Sequence, residues 1–342
     1  MAEKALTIDY APLAQTNEIR ILILKRGVGS DPIICALCPV KRGEAEYHAL
    51  SYEWGDESEN DPSITVTSRP VQVRRNLYEA LKSIRKRNED LHLWVDAVCI
   101  NQADIPEKNH QVAIMGEIFA NAVGVISWLG PASDDSDMAM DLMSDANQLG
   151  ANLSSFYGPS AQLTALTSLC YRAYWRRVWI IQELHLAQSY EVWCGEKHIL
   201  VNEFDKSLNV LDSWVTPFTQ ELGRNPANHH RVARVARDVG FNNLSRWIWV
   251  CFRGNFQCTR EQDFVYALLN ISGDYQTADV TLEVDYAKSP REVFLELLKE
   301  KGLPMWSGGS IDRWFKLAEM MNLPVDDDLR RLVYRTRGSR SN

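Results

Sequence analysis

The sequence lacks any apolar run approaching the ~18 residues that a membrane-spanning helix requires. None of its glycine clusters has the spacing of a phosphate-binding P-loop, and no repeat or low-complexity tract interrupts its 342 residues. No basic excess is present either: the net charge is −8 and the pI about 5.5. A binder of nucleic-acid backbone needs a basic face, so nucleic acid is excluded as the main partner, although a small nucleotide in a local basic pocket is not. The N-terminal MAEKALTIDYAPL has no apolar core of a signal peptide. With the scattered cysteines, it leads us to expect a cytoplasmic protein without disulfides.

Cysteine is present seven times, but Cys35 and Cys38 form a lone CxxC without a second pair or a nearby histidine, and no cluster has metal-ligand spacing. No metal is expected. Cys170 and His185 are close in sequence, but nothing orients them as a nucleophile–base pair, so cysteine hydrolase chemistry is rejected. The His229-His230 doublet reads as solvated on a polar helix.

What is present is an ordinary globular composition, 45% hydrophobic and 24% charged, with an unusual eleven tryptophans, each a large apolar surface seeking burial or a ligand. Glu18–Lys25 and Ile33–Val40 read as strands in a leader of residues 1–45. Tyr47–Tyr52 is a strand, Ile64–Val73 a hairpin around Ser68-Arg69-Pro70, and Asn76–Arg87 an amphipathic helix through Leu77, Leu81 and Ile84. Leu91–Ile100 reads as one buried strand with Asp96 unexpectedly inside it. Asp104, Pro106 and Glu107 signal a helix start with a capping box, and the helix runs to Asn121 with Val112, Met115 and Phe119 on one face. Val123–Leu129 is a buried strand. Helices follow over Asp134–Gln148, Ala161–Tyr171 and Tyr174–Ala187, then a strand at Tyr190–Cys194. From Val201 the pattern is mainly helical: Glu203–Leu211, His229–Gly240, Leu244–Phe252, Glu261–Ile271 and Pro290–Lys301, with a frayed basic tail after Tyr334. Alternating strands and helices predict an α/β fold, a mostly parallel central sheet with flanking helices. The expected organisation is the leader 1–45, an α/β core over 46–200, and a helical part over 201–342 packed on the core.

Four blocks stand out. They are Ala49–Gly55 (ALSYEWG), Leu93–Gln102 (LWVDAVCINQ) with Val125–Gly130 (VISWLG) after it, Arg177–Leu184 (RVWIIQEL), and Asp263–Leu269 (DFVYALL). In order and spacing they resemble the blocks of fungal heterokaryon-incompatibility (HET) domains: LSYxWG, lWiDalCINQ, RvWvvQE and DkvYALLGL. The blocks span residues 46–270. Phe119 stands where the family commonly has tyrosine, Asn270 replaces a usual glycine, and Glu53 adds a charge to the first block. The resemblance implies an intracellular trigger of programmed cell death in non-self recognition. Self-association and an upstream non-self sensor are the implied partners, and the chain looks like a HET-only protein.

HET domains are in turn distantly similar to TIR domains, which have a flavodoxin-like sheet and in many cases cleave NAD through one glutamate after a W/C-x-x-x-E-L pattern. That similarity places Glu183, in Trp179-Ile-Ile-Gln-Glu-Leu184, as the catalytic residue, with NAD as candidate substrate and no resident cofactor.

The residues themselves leave alternatives open. A carboxylate among apolar neighbours needs a partner or a use, so Glu183 serves either chemistry or an ion pair with Arg176 or Arg172. Asp96 faces a ligand crevice or makes a buried hydrogen bond, to a helix N-terminus or to Ser51. Asn101 and Gln102, after the second-block strand, read nicotinamide or ribose groups or cap the loop. Tyr52, Trp54 and Trp179 are candidate stacking surfaces, with a core role the alternative for Trp54; Gly55 borders the same turn, where it permits a positive φ. Two functions of different class follow: an NAD glycohydrolase, or a non-catalytic, self-associating death-signalling module.

Overall fold

Short β-branched and aromatic runs pair here into one nine-stranded mixed sheet, ordered β5-β4-β2-β1-β6-β3-β7-β8-β9. The computed structural model describes residues 8–154, 160–213, 225–235, 242–300 and 311–337. The strands are β1 (Glu18–Leu24), β2 (Ile34–Lys41), β3 (His48–Tyr52), β4 (Ser63–Val66), β5 (Arg69–Gln72), β6 (Leu91–Trp94), β7 (Gly124–Trp128), β8 (Tyr190–Cys194) and β9 (Lys197–Leu200).

Four central strands run parallel. β3 pairs with β6 (Ala49 opposite Trp94) and with β7 (Leu50 opposite Ile126), and β7 pairs with β8. Taken by chain order, these four lie second, first, third, fourth. That is the flavodoxin-like arrangement, in which the chain reverses direction across the sheet beside its first parallel strand. The α/β expectation therefore holds.

Around this block the pairing is antiparallel, except that β2 and β4 run parallel. β1 and β2 of the expected leader are strands of the same sheet, β1 pairing with β6 and β2 with β1. The β4–β5 hairpin turns at Thr67 and Ser68, both at positive φ, and Pro70 is tolerated because β5 is an edge strand with no outer neighbour to donate to.

Helices cover the sheet. α1 (Arg75–Ile84) buries Leu77, Leu81 and Ile84 as its spacing predicted. The run Leu91–Ile100 differs from expectation: the strand stops at Trp94, and Asp96–Cys99 is a helical turn, α2. The Asp96 carboxylate accepts its neighbour Ala97 N–H at 2.7 Å, and Val98 and Cys99 N–H bond back to Val95. A side-chain acceptor that competes for local backbone donors ends the ladder there.

The helix expected from Asp104 to Asn121 is two, α3 (Ile105–Ala113) and α4 (Met115–Asn121), broken at Ile114. Asp104 caps α3 by accepting from Glu107 N–H at 3.0 Å. No capping box closes, because Glu107 is used elsewhere. It holds the buried Arg20 of β1 by two bonds of 2.6 and 2.9 Å and accepts Asn101 N–H at 2.7 Å. A buried guanidinium must be paired, and this demand outweighs the cap.

The later helices are α5 (Ser136–Met143), α6 (Ala146–Ser154), α7 (Ala161–Cys170), α8 (Trp179–Leu186), α9 (Val201–Ser213), α10 (Pro226–Val235), α11 (Leu244–Gly254), α12 (Asp263–Leu269), α13 (Gly273–Gln276), α14 (Pro290–Lys299), α15 (Asp312–Met320) and α16 (Asp327–Arg337). A 3-10 turn over Ala173–Arg176 precedes α8, so Tyr174 lies outside the helix expected to contain it. The expected ends at Gly240 and Lys301 lie outside the described residues, as does the tail beyond Arg337. His230 corrects its reading: it is 2% exposed, beside Trp175 at 6.1 Å between ring centres, because α10 packs its face inward instead of meeting solvent.

One continuous apolar core runs from β1 to α16. The C-terminal helices are stitched to the sheet side at several points. Val178 N–H donates to Gln257 and Gln257 N–H to Arg176, at 2.9 and 2.6 Å. His185 meets Trp247 edge-on at 4.9 Å, and Trp179 donates to Asp263 at 3.1 Å.

Candidate active site

Parallel strands deliver loops to one end of the sheet, and in open α/β folds ligands bind outside those carboxyl ends. Here β3 ends into Glu53-Trp54-Gly55 and β6 into Asp96, side by side because the two strands pair in parallel. Beyond them opens a cavity of about 540 Å³, lined among others by Trp54, Asp96, Gln102, Lys108, Arg177 and Trp179. This is the size range of small-molecule sites. The opposite wall comes from the C-terminal half, through Gln257–Arg260, Asp263 and Tyr286.

The walls are built from indole–carboxylate pairs. Trp54 Nε1 donates to Asp96 at 2.9 Å, and Trp179 Nε1 donates to Asp263 at 3.1 Å. Tyr286 Oη also donates to Asp263, at 2.7 Å. Burial pushes both carboxyls up to about 6; Arg177 and the Trp54 bond oppose this at Asp96, with Glu183 adding to the rise, while the Tyr286 and Trp179 bonds oppose it at Asp263. Asp96 thus sits on the cavity wall with an indole donor, not on Ser51.

Five cations share the lining with four carboxylates: Arg74, Lys108, Arg176, Arg177 and Arg260 against Glu53, Asp56, Asp96 and Asp263. In a chain of net charge −8 this is a locally basic pocket. Arg74 lies over the Trp54 ring at 5.3 Å and donates to the Gly55 carbonyl at 2.5 Å. Gly55 has φ +73°, a turn that a side chain would strain.

The remaining expected site residues fall in two groups. Gln102 lines the cavity, its amide donating to the Asp96 carbonyl at 3.1 Å. Asn101, Tyr52 and Glu183 do not line it. Asn101 is spent on the loop: its Oδ1 accepts Ala103 N–H at 3.3 Å. Tyr52 is 2% exposed beneath the floor, which removes it as a stacking surface because β3 is a central strand with both faces covered.

Glu183 is 3% exposed. It accepts a short hydrogen bond from Ser51 and lies 3.4 Å from Arg177, while Ser51 and Tyr174 share a hydroxyl contact of 2.7 Å. Its cation is therefore Arg177, neither Arg176 nor Arg172. Arg172 instead donates to the carbonyls of Leu129 and Pro131 at 3.1 and 2.9 Å. Arg177 lines the cavity, so Glu183 stands one side chain behind the wall.

Sequence reading passed over Arg177, Asp263, Lys108, Arg260 and Tyr286. Three carried a signal. Arg177 and Asp263 open two of the four blocks, and Lys108 sits four residues before Val112 on the face that continues through Met115, a cation in an apolar stripe. Arg260 and Tyr286 reach the cavity only through the packing of the C-terminal half. Among the described residues, no group of three His, Cys, Asp or Glu is placed to hold a metal, and no helix is long and apolar enough to cross a membrane.

Comparison with known proteins agrees with the blocks. Residues 47–183 match the family model described as heterokaryon incompatibility protein (HET). The chain is 37% identical over 115 residues to heterokaryon incompatibility protein 6, OR allele, of Neurospora crassa, a segment amounting to 30% of this chain and 17% of that protein. No solved structure matches the chain. The cavity's strand-end walls, from Trp54 through Asp96 to Trp179, lie inside the matched segment, and over residues 47–183 the chain is similar to the HET family.

Proposed function

We propose that this chain is an effector of fungal heterokaryon incompatibility, and that its cavity binds NAD and cleaves the nicotinamide–ribose bond with water, giving nicotinamide and ADP-ribose. The observation that carries the reading is the cavity itself: a basic, indole-lined pocket at the carboxyl ends of parallel strands, with Asp96 and Arg177 in its wall and Glu183 behind Arg177. The flavodoxin-like strand order is the one that the similarity to TIR domains calls for.

The leaving nicotinamide is already activated by its positive charge, so no general acid is needed. What accelerates such a cleavage is a carboxylate near the ribose as its oxocarbenium character develops. In this reading Glu183 is that group. Arg177 stands between it and the cavity, and the diphosphate of a bound dinucleotide competes for the same guanidinium, loosening a contact that is already 3.4 Å long. Trp54 and Trp179, their N–H groups fixed by Asp96 and Asp263, offer ring faces to the nicotinamide or adenine.

The test is nicotinamide release from NAD by the purified full chain. Glu183→Gln keeps the shape and is expected to fold normally while losing at least ~100-fold in kcat, the usual cost of one key electrostatic group. Asp96→Asn is expected to cost less. If Asp96→Asn takes the larger loss, the carboxylate assignment moves to the cavity wall. If the native chain kills cells on expression and leaves NAD intact, the cleavage reading fails and the self-associating signalling module replaces it.

A further inference from the structure

Lys108 lies on α3, is 9% exposed, and projects into the cavity. Among the described residues its ammonium group makes no hydrogen bond and no ion pair, although its backbone N–H donates to the Asp104 carbonyl at the start of α3. Its Nζ lies over the Tyr286 ring, 4.4 Å from the centroid, and the Arg260 guanidinium lies over the same ring at 5.3 Å. Arg260 likewise has no carboxylate within ion-pair distance among the described residues. The nearby carboxyl, Asp263, spends its oxygens on the neutral donors Trp179 and Tyr286. Two cations on one aromatic ring repel each other, and burial with that repulsion lowers the lysine's proton affinity. Buried charges are otherwise paired, because desolvating an ammonium without a counterion is costly. Asp263 and Asp96 offset the lysine's charge only at a distance, and Arg260 is exposed to solvent; two cations facing a cavity, neither in contact with a carboxylate, are the arrangement of an anion site whose anion comes with the ligand.

We propose that Lys108 and Arg260, held against Tyr286, form a phosphate subsite on the wall that the C-terminal half supplies, and that the cavity's ligand is therefore a phosphate- or diphosphate-bearing molecule. The proposal deepens the NAD reading by naming the part of the ligand that this wall grips. It also makes the C-terminal half a determinant of ligand choice: Lys108 comes from the matched HET segment, whereas Arg260 and Tyr286 lie outside it.

The experiment is calorimetric titration of the full chain with inorganic pyrophosphate, and separately with adenosine, which has no phosphate. Pyrophosphate is expected to bind, and adenosine to bind at least 10-fold more weakly. Lys108→Met and Arg260→Met should each weaken pyrophosphate by at least 10-fold, whereas Lys108→Arg keeps the charge and retains most of the affinity. Lys206→Gln, on the far surface of α9, should change nothing. Thermal melting without ligand provides the readout that a structural role would not share. Lys108→Met removes a largely buried charge that has no carboxylate in contact, trading its desolvation against a distant attraction to Asp263, so its melting temperature should stay level or rise.

A native chain that ignores pyrophosphate, an unchanged affinity in Lys108→Met, or a marked fall in that variant's melting temperature would overturn the subsite. The two readings separate cleanly. Pyrophosphate binding without NAD cleavage leaves the subsite standing and removes the hydrolase; NAD cleavage without pyrophosphate binding does the reverse.

Discussion

Asp96 and Asp263 illustrate how a single side chain changes character with its surroundings. Each is an ordinary carboxylate in the unfolded chain, titrating near 4, and each is raised to about 6 in the fold, chiefly by burial. In the folded state they hold their protons more tightly, so their stabilising contribution is fully present below about pH 4 and is lost as pH rises toward 6. His230 acts in the opposite sense. Burial lowers it to about 3, so its contribution is present above its unfolded value near 6.5 and lost as the pH falls. Because the two trends overlap, a melting curve against pH shows only their difference. Carbon-13 NMR of the aspartate carboxyls resolves them. Two resonances should titrate near pH 6, Asp263→Asn should remove one, and Lys108→Met should move the Asp263 titration higher, since it takes away a favourable cation. Titration of both near pH 4 would mean a cavity far wetter than its lining suggests.

At the scale of elements, the contact of α4 with α8 and the end of α12 turns on Gly116. A methyl group added there would meet Asn270 Cβ at 2.5 Å and Leu186 Cδ1 at 2.9 Å. Gly→Ala inside a helix ordinarily gains up to about 1 kcal/mol; here the clash with a second helix should dominate. Gly116→Ala is expected to lower stability by about 1–3 kcal/mol, as overpacking does, measured by chemical denaturation. Asn270 stands where HET domains commonly have glycine, which ties the two positions together. Gly116→Ala in an Asn270→Gly background should recover most of the loss, a coupling of about 1 kcal/mol or more. Additive losses would show that Leu186, not Asn270, sets the limit. The same scale explains why Glu107 leaves its cap: its contacts with Arg20 of β1 are worth more than local regularity.

The molecule as a whole has its cavity built from both halves. Strand ends and α8 supply Trp54, Asp96, Arg177 and Trp179, while Gln257–Arg260, Asp263 and Tyr286 close the other side. α12 is buried at every position, and Trp247 of α11 packs on His185 of α8. A fragment ending at residue 200 would leave these apolar faces open and remove a cavity wall. It should therefore be insoluble or melt without cooperativity, and bind no pyrophosphate. A soluble 1–200 fragment with a sharp calorimetric transition would show the second half to be an independent unit.

How far the sequence reached follows from the range of the interactions involved. Period-two and helical apolar patterns are local, so β1, β3, β7, β8 and α7 are legible within a residue or two, α1 ends three residues early, and with them the α/β class is legible. The four blocks carry the resemblance to HET domains, and the first three of them marked Trp54, Asp96, Gln102 and Trp179, all of which line the cavity. Long-range competition decided the rest. The strand over Leu91–Ile100 stops at Trp94 because Asp96 turns to its own backbone and to Trp54. The cation of Glu183 is Arg177, not Arg176, because a 3-10 turn replaces the first turn of the expected helix. Arg260 and Tyr286 have no local pattern at all; only the docking of the C-terminal helices onto the carboxyl ends of β3 and β6 brings them to Lys108. The chain's own periodicities determined which segments become strands and helices and which blocks stand at the strand ends. The charge arrangement of the cavity was decided by tertiary packing alone, because the partner of a buried charge is whichever group the fold brings within about 4 Å, and sequence distance does not measure that.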